Sequence, residues 1–133
     1  MTEEQIAYFA GLFDGEGSVS ILLTRRGDWK LCCRISNTNR EVLQTAKDSF
    51  KVGQIGGRNR GGNRKPDFWW HVVGKQAEGF LRAVLPFLVI KKDRAVLALL
   101  FRDSINNHHY GLDLTLEEIA FRCKLKERME VLS

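Results

Sequence analysis

Two carboxylates separated by one glycine stand out in the segment AYFAGLFDGEGSVSI, residues 7–21. The apolar residues before Asp14 and the alternating residues after Gly17 predict a helix that runs directly into a strand. The last turn of a helix carries about half a negative charge on its unpaired carbonyls, so anions are disfavoured there. A helix stop explains Gly15 and Gly17 but not Glu16. A Lys or Arg partner would explain Glu16, and so would a divalent cation bound by oxygen ligands.

The predicted first helix has a face of small residues formed by Ala7, Ala10 and Gly11. Such a face allows two helix backbones to approach closely, either within this chain or between two copies of it. A two-fold contact between copies would bring two Glu16 carboxylates together at the axis. At about 5 Å and an effective dielectric near 20 they would repel by roughly 3 kcal/mol. Bound cations would remove that repulsion, as in two-metal hydrolysis of phosphodiesters.

Positive charge is concentrated in the middle of the chain. The net charge is +5 over 133 residues, yet the segment from Arg25 to Lys65 holds eleven basic and three acidic residues and is therefore +8. These residues fall on predicted strands and hairpin loops, so they predict a basic sheet surface for a polyanion, most simply nucleic acid. A basic face that is merely solvated is the open alternative.

Composition limits the class of protein. The length suits a single domain over residues 1–133,. No apolar run approaches the roughly 18 residues of a membrane span, and the start MTEEQIAYF lacks the basic residues of a signal peptide,. Cys32 and Cys33 are adjacent and Cys123 is left over, which favours a reduced, intracellular protein over a disulfide framework,.

The pattern of the whole chain predicts an α+β domain with the order α-ββ-α-ββ-α-α-α. Thr2 with Gln5 and Thr115 with Glu118 predict capping boxes, and Asn39 predicts a helix start,. On the helix that begins near residue 91 we expect Val96, Leu97, Leu100 and Phe101 to face the core. The predicted strands are residues 18–26, 29–37, 52–60 and 67–74, and the predicted later helices are residues 40–51, 75–86, 91–106 and 115–132.

The stretch FAGLFDGEGSV resembles the LAGLIDADG motif of homing endonucleases, specifically the single-motif, homodimeric class. The elements after it resemble that family's αββαββα core over about residues 5–105, with C-terminal helices over about 91–133. The resemblance implies a homodimer, joined through the first helix, that binds a long, roughly palindromic double-stranded DNA site. It implies hydrolysis of one phosphodiester in each strand with Mg²⁺. Mn²⁺ is expected to substitute, and Ca²⁺ to bind without supporting cleavage.

The resemblance also assigns roles to residues. Glu16 and the carbonyl of Gly15 are implied as metal ligands, although many members have Asp where this chain has Glu16. Asn37, at the end of the second strand, matches a polar residue that holds catalytic water, or else it simply ends the strand. Lys91 in LPFLVIKK matches a basic residue near the scissile phosphate. The alternative is a solvated lysine before a helix, although a cation there opposes the helix dipole.

Side-chain alternation predicts which strand residues face DNA on the open side of the sheet. Trp69 remains open between that side and the core, and Arg25, Arg40, Lys47, Lys51 and Arg64 are expected to contact phosphates. The predicted DNA-facing residues are Ser18, Ser20, Leu22, Thr24, Arg26, Lys30, Cys32, Arg34, Ser36, Gln54, Arg58, Arg60, Trp69 and His71.

Three other functions compete with the endonuclease. An RNA-binding intron maturase on the same scaffold is the first alternative, and a DNA-binding regulator without catalysis is the second. The third is a basic α+β domain of another function, which leaves Glu16 unexplained. His108 and His109 are predicted to form a polar loop and no metal site, because no carboxylate or cysteine is suitably spaced. The resemblance further implies an intron- or intein-associated gene and a location in an organelle or a prokaryotic cytoplasm.

Overall fold

The computed structural model describes residues 1–108 and 112–132. The predicted element order is confirmed, and a short 3-10 turn at Leu85–Phe87 links the third and fourth helices. No helix within the described ranges is both long enough and apolar enough to cross a membrane. The elements are α1 (Glu3–Glu16), β1 (Gly17–Leu23), β2 (Trp29–Asn37), α2 (Arg40–Phe50), β3 (Gln54–Arg58), β4 (Asp67–Val73), α3 (Gly74–Val84), α4 (Lys92–Asn106) and α5 (Leu116–Val131).

The four strands form one antiparallel sheet in the order β1-β2-β4-β3. In register, Val19 lies opposite Cys33, which lies opposite Val72, and all three side chains are buried. Because side chains alternate along each strand, their neighbours point to the other face. The helices pack on the buried face, so no element of the described chain covers the opposite, open face of the sheet.

Aromatic rings join the helices to the buried face of the sheet. The indole Nε1 of Trp70 donates a hydrogen bond to the carbonyl of Val52 at 3.0 Å, so this buried donor is satisfied. Aromatic pairs of this kind each add about 0.5–1.5 kcal/mol beyond the burial of their area. The ring centroids lie 5.0–5.8 Å apart in pairs among Phe9, Phe13, Phe50, Trp70 and Phe80.

Three helix starts are fixed by the side chains that the sequence indicated. Thr2 and Gln5 exchange hydrogen bonds of 2.8 and 3.2 Å, and Thr115 and Glu118 exchange bonds of 3.0 and 3.1 Å. Asn39 Oδ1 accepts from two backbone N–H groups of α2, at 3.0 and 3.3 Å. Each cap stabilises its helix by about 1 kcal/mol. Caps involve residues within three positions of one another, which is why a sequence pattern can find them.

The first hairpin turns earlier than predicted. β1 ends at Leu23, because Thr24 and Asp28 pair across the turn: the Thr24 N–H donates to the Asp28 carbonyl at 2.8 Å, and the Asp28 N–H donates to Thr24 Oγ1 at 3.1 Å. Gly27 supplies the left-handed conformation of the turn, with φ +85°,. Thr24 and Arg26 therefore lie in the turn and not on the strand, which corrects their predicted place in the sheet.

The third strand is also shorter than predicted. β3 ends at Arg58, which pairs with Asp67 on β4, and Arg60 lies beyond it in the loop. Arg58 Nη2 and Arg60 Nε both lie near Asp67 Oδ2, at 3.4 and 3.2 Å. The prediction that Arg60 belongs to the outward row of β3 is therefore wrong. One carboxylate offsets part of the charge of both arginines at this edge.

The inward face of α4 differs from the predicted one. Val96 and Leu100 are 43% and 44% exposed, whereas Leu97 is half-buried and Phe101 is buried as expected. Because α4 packs against α3, α5 and the sheet, its buried face is turned away from Val96 and Leu100. The buried side chains of α4 are Ala95, Ala98, Leu99 and Phe101.

Candidate active site and nucleic-acid interface

Asp14, the first carboxylate at the end of α1, is buried and uses both of its oxygens. Oδ2 accepts a hydrogen bond from the Val89 N–H at 2.8 Å, and Oδ1 accepts one from the Lys91 N–H at 3.0 Å. The ammonium of Lys91 in turn donates to the Asp14 carbonyl at 2.6 Å. Asp14 therefore fixes the chain that leads into α4, and Lys91 offsets the negative end of α1.

Glu16, the second carboxylate, is exposed at the last position of α1. Its Oε2 accepts a hydrogen bond from Asn37 Nδ2 at 2.5 Å. Asn37 Oδ1 accepts from the Asn39 N–H at 2.8 Å, so the amide of Asn37 is held with its NH₂ group toward Glu16. The N-terminus of α2 thus orients the Glu16 carboxylate through one asparagine, while Glu16 keeps acceptor capacity for a further ligand.

Lys91 is buried, with 8% of its surface exposed, so it is not a solvated lysine before a helix. Burial lowers the pKa of its ammonium, Arg94 lowers it further, and Asp14 opposes both. Its Nζ lies 6.0 Å from the ring centroid of Phe13 and contacts a carbonyl two residues before Glu16. The structure thus brings Glu16, Asn37 and Lys91 to the same end of α1, and their catalytic roles remain predictions.

The groups around Glu16 suit a hard divalent cation. No cluster of three or more His, Cys, Asp or Glu side chains that could bind a metal occurs among residues 1–108 and 112–132. One chain instead offers the Glu16 carboxylate and the Gly15 carbonyl, which lies in the last turn, where carbonyls lack helical partners. Gly15 is open, since a Cβ there would meet nothing within 4 Å. Mg²⁺ takes one or two carboxylates and fills its other positions with water or substrate oxygens, so this donor set fits.

The outward side of α1 carries an open strip of small residues next to Tyr8, which is 58% exposed. Gly11 is exposed, and a Cβ on it would meet nothing within 4 Å. Ala7 is half-buried. Ala10 has no exposed surface and packs in this chain's own core, so the prediction that it contacts a second copy is wrong. Gly11 and Gly15 form the open part of the helix, with Ala7 at its border.

The predicted DNA-facing residues that lie on strands share the open face of the sheet. Ser18, Arg34, His71 and Gln54 lie opposite one another and form a row across all four strands. In neighbouring rows Ser20 lies opposite Cys32, and Leu22 lies opposite Lys30. Among the predicted residues that lie on strands, the exposed ones are Ser18, Leu22, Lys30, Arg34, Ser36, Gln54 and Arg58, and the half-buried ones are Ser20, Cys32, Trp69 and His71.

Trp69 lies on the open face, which resolves the alternative that the sequence left. It pairs with Ser36 on one side and with Gly56 on the other, and its ring lies over Gly56. Val73 also lies on this face, opposite Cys32, and is 44% exposed. Val73 was not among the predicted DNA-facing residues, although the alternation of Trp69 and His71 extends to it. Burial raises the pKa of the Cys32 thiol and Arg34 opposes this, so Cys32 presents a neutral thiol.

His108 connects α4 to α5. Its Nδ1 lies 2.6 Å from Glu118 Oε2, and its Nε2 lies 2.7 Å from the Leu112 carbonyl. Both partners are acceptors, so only the protonated ring satisfies both. The Leu112 carbonyl and then Glu118 raise the pKa of His108. His109 lies outside the described residues.

Comparison with known proteins gives the fold. No protein-family model and no curated protein matches this sequence. A DNA complex of the homing endonuclease I-CvuI, formed with magnesium, superposes with a TM-score of 0.82 at 19% identity, covering 98% of this chain and 83% of I-CvuI. The archaeal intron-encoded homing endonuclease I-Vdi141I, bound to DNA, gives 0.79 at 22% identity, covering 98% and 85%. The LAGLIDADG meganuclease I-AabMI, bound to uncleaved DNA, gives 0.77 at 22% identity, covering 95% of this chain and 44% of I-AabMI. This chain therefore has the fold of the LAGLIDADG homing endonucleases.

Proposed function

We propose that this protein is a site-specific, divalent-metal-dependent endonuclease that acts on double-stranded DNA as a homodimer. The observation that carries the proposal is the exposed Glu16 carboxylate, oriented by Asn37 at the point where α1 enters the open sheet. Without a cation, the Glu16 carboxylate would repel the phosphates of a nucleic acid bound on the open face of the sheet. A cation bound between carboxylate and phosphate turns that repulsion into attraction and is the usual arrangement in phosphodiester hydrolysis.

The residues at the end of α1 would divide the work of hydrolysis. Glu16 and the Gly15 carbonyl would bind Mg²⁺, which activates water and stabilises the leaving oxygen when it is bound. Asn37 holds the Glu16 carboxylate in one orientation, because its own amide is fixed by Asn39. Lys91 uses one of its three N–H donors on the Asp14 carbonyl and keeps two for negative charge that develops on phosphate,.

The number of carboxylates supports the homodimer. Each chain supplies one Glu16, and a dimer would place one such site at each strand of a duplex, so that both strands are cut in a single encounter. The open strip of Gly11 and Gly15 leads to Glu16, so pairing of two such strips would bring two sites together,. I-AabMI is more than twice as long as the part that this chain matches, so it has room for a second domain of this size.

The open sheet face supplies the DNA contact. Its hydroxyl, amide and guanidinium groups suit the major groove of duplex DNA, which admits a two-stranded β-ribbon,. Two such faces related by a two-fold axis would read two halves of a long, roughly palindromic site. The three solved structures compared above are all DNA complexes, which supports duplex DNA as the substrate.

A two-step experiment tests this function. Duplexes bound from a randomised library would first identify the preferred site, and a supercoiled plasmid bearing that site would then be incubated with metal. We expect nicked and then linear plasmid with Mg²⁺ or Mn²⁺, binding without cleavage in Ca²⁺, and no cleavage in EDTA. A plasmid left supercoiled in both Mg²⁺ and Mn²⁺ would overturn the proposal. Specific binding to a structured intron RNA with the plasmid uncut would favour the maturase.

A further inference from the structure

A stacked pair of side chains lies at the centre of the open face. Arg34 is on β2 and Trp69 is on β4, the two inner strands of the sheet. The Arg34 Cζ lies over the indole, 4.4 Å from the ring centroid, well within the range of a cation–π contact,. The two residues are diagonal neighbours, since Arg34 lies directly opposite His71 and Trp69 directly opposite Ser36,.

The Trp69 ring under Arg34 fits against β3 only because Gly56 has no side chain. A Cβ on Gly56 would lie 2.4 Å from the indole Cε2 and Nε1 of Trp69, far inside any permitted contact. The indole therefore occupies the space that any other residue on β3 would fill. With strand β3 on one side and Arg34 above it, the ring is a fixed platform.

The charge of Arg34 is free, in contrast to that of the arginines at the edge of the sheet. Arg58 and Arg60 both pair with Asp67 at 3.4 and 3.2 Å. Among the residues that the structure describes, Arg34 has no ion pair and no carboxylate accepts a hydrogen bond from it. Stacking on a ring uses none of the five N–H donors of a guanidinium.

We propose that Arg34 reads a guanine in the major groove of each half-site and that Trp69 is the residue that positions it. This inference rests on the proposed function. Guanine is the base that presents two acceptors, O6 and N7, side by side in the major groove, and an arginine fork matches them with two N–H donors. A side chain already held in place loses less conformational entropy on binding, so the platform strengthens the contact.

The surroundings of Arg34 restrict this reading to one base position. In its row the other residues are Ser18, His71 and Gln54, so Arg34 is the only Arg or Lys among those four. Lys30 on the same strand is two rows away. A single guanidinium at mid-sheet would therefore contribute one guanine preference, while loop cations such as Arg64 would follow the phosphates.

Base preferences of bound duplexes from a randomised library test the proposal, with unfolding temperature as a check on each variant. Wild type should prefer guanine at one position in each half-site. Arg34→Ala should reduce that discrimination by about 5- to 160-fold, which corresponds to ~1–3 kcal/mol, and leave the other positions unchanged. Trp69→Leu should reduce it at the same position by about two- to five-fold, whereas Trp69→Phe, which keeps a ring, should retain it.

Arg64→Ala is the matched control, because it removes the same charge from an exposed loop. It should weaken binding to all sequences alike. The proposal is overturned if Arg34→Ala weakens binding to all sequences alike, as this control does. It is also overturned if the base position that loses its preference in Arg34→Ala favours a base other than guanine in wild type, or if Trp69→Leu changes the preference at a different position. Those results leave a sequence-specific nuclease intact. A wild-type protein that enriches no sequence would instead refute the proposed function, and this inference with it.

Discussion

The two sides of α1 differ in burial and in how many hydrogen-bond partners their carboxylates already have. The inward side is buried, and the carboxylate of Asp14 accepts two backbone hydrogen bonds there. The outward side is exposed, and Glu16 accepts one side-chain hydrogen bond. The inward residues are Phe9, Ala10, Phe13 and Asp14, and the outward residues are Tyr8, Gly11, Gly15 and Glu16.

This contrast explains why two carboxylates occupy a place that a helix dipole disfavours. Asp14 is stabilised by partners from the chain before α4, with Lys91 supplying a compensating cation. Glu16 has no ion pair in the described part of the chain, and in the proposed function a bound metal ion supplies the compensating charge. Substitutions on the inward side should therefore change stability, and substitutions on the outward side should change activity or assembly.

The largest effect is expected at Glu16. Glu16→Gln keeps the shape and removes the charge that holds a cation, so cleavage should fall by about 10²–10⁴-fold, equivalent to several kcal/mol of lost stabilisation. Binding to DNA and the free energy of unfolding should stay close to wild type, because the side chain is exposed. Plasmid cleavage and gel-shift binding, measured separately, check both. Full cleavage by this variant would mean that Glu16 does not serve a metal.

Assembly should respond next. A Cβ added at Gly11 would meet nothing within 4 Å in the described chain, and Gly11 is exposed, so the monomer should fold normally with Gly11→Leu. In a two-fold contact the added side chain enters twice, at about 1–3 kcal/mol each, and should shift the protein to monomers that do not cut. Sedimentation velocity measures this.

Ala10→Leu is the inward counterpart of that variant, because Ala10 has no exposed surface. It should lower the free energy of unfolding by overpacking the core, without acting on assembly directly. If Gly11→Leu sediments and cleaves as wild type does, the contact between copies does not use this side of α1.

A smaller effect is expected at Asp14. Asp14→Asn replaces one acceptor with an NH₂ group that faces a backbone N–H, so one buried donor loses its partner. We expect the free energy of unfolding to fall by about 1–3 kcal/mol, measured by urea denaturation. Glu16→Gln in the same assay is the control and should show no such loss. Equal stability of Asp14→Asn and wild type would remove the distinction between the two sides.

The smallest effect is expected away from α1, at the contact between His108 and Glu118, whose contribution to stability depends on pH. The pKa of His108 is raised, so its contribution to stability is complete below about 6.5 and is lost as pH rises through the raised value,. Glu118, whose pKa is lowered first by the Thr115 N–H, contributes above about 4.5 and loses that contribution as pH falls,. The contact should thus be strongest between those limits. Unfolding temperatures of wild type and His108→Gln should differ most there and converge at higher pH, and a constant difference would contradict this.

Local patterns predicted much of the fold. The caps at Thr2, Asn39 and Thr115 involve neighbours in sequence, and the strand alternation placed Arg34 and Ser36 on the open face correctly. The end of β1 was misplaced because alternation continues through Thr24, whereas the hydrogen bonds that close the turn depend on its geometry. The alternation pattern alone therefore does not show at which residue the turn begins.

Contacts between residues far apart in the chain could not be predicted from the sequence. Small size made Ala10 look suitable for a contact with a second copy, but a small residue is equally suited to the chain's own core, where it lies. Lys91 could be read as solvated or as catalytic, and neither reading includes its burial against Asp14. Trp69 was ambiguous because its orientation depends on space above Gly56, which lies across the sheet.

The two backbone hydrogen bonds to the Asp14 carboxylate also bear on the order in which the protein is made. The N–H groups that donate them belong to residues 75 and 77 positions later in the chain. At a synthesis rate of about 5–20 residues per second, α1 leaves the ribosome several seconds before them. The basic segment between Arg25 and Lys65 is complete within that interval. A nascent chain would therefore carry its complete basic segment before the end of α1 is set. Under the proposed function, a chain truncated before residue 88 should bind DNA weakly without cutting it.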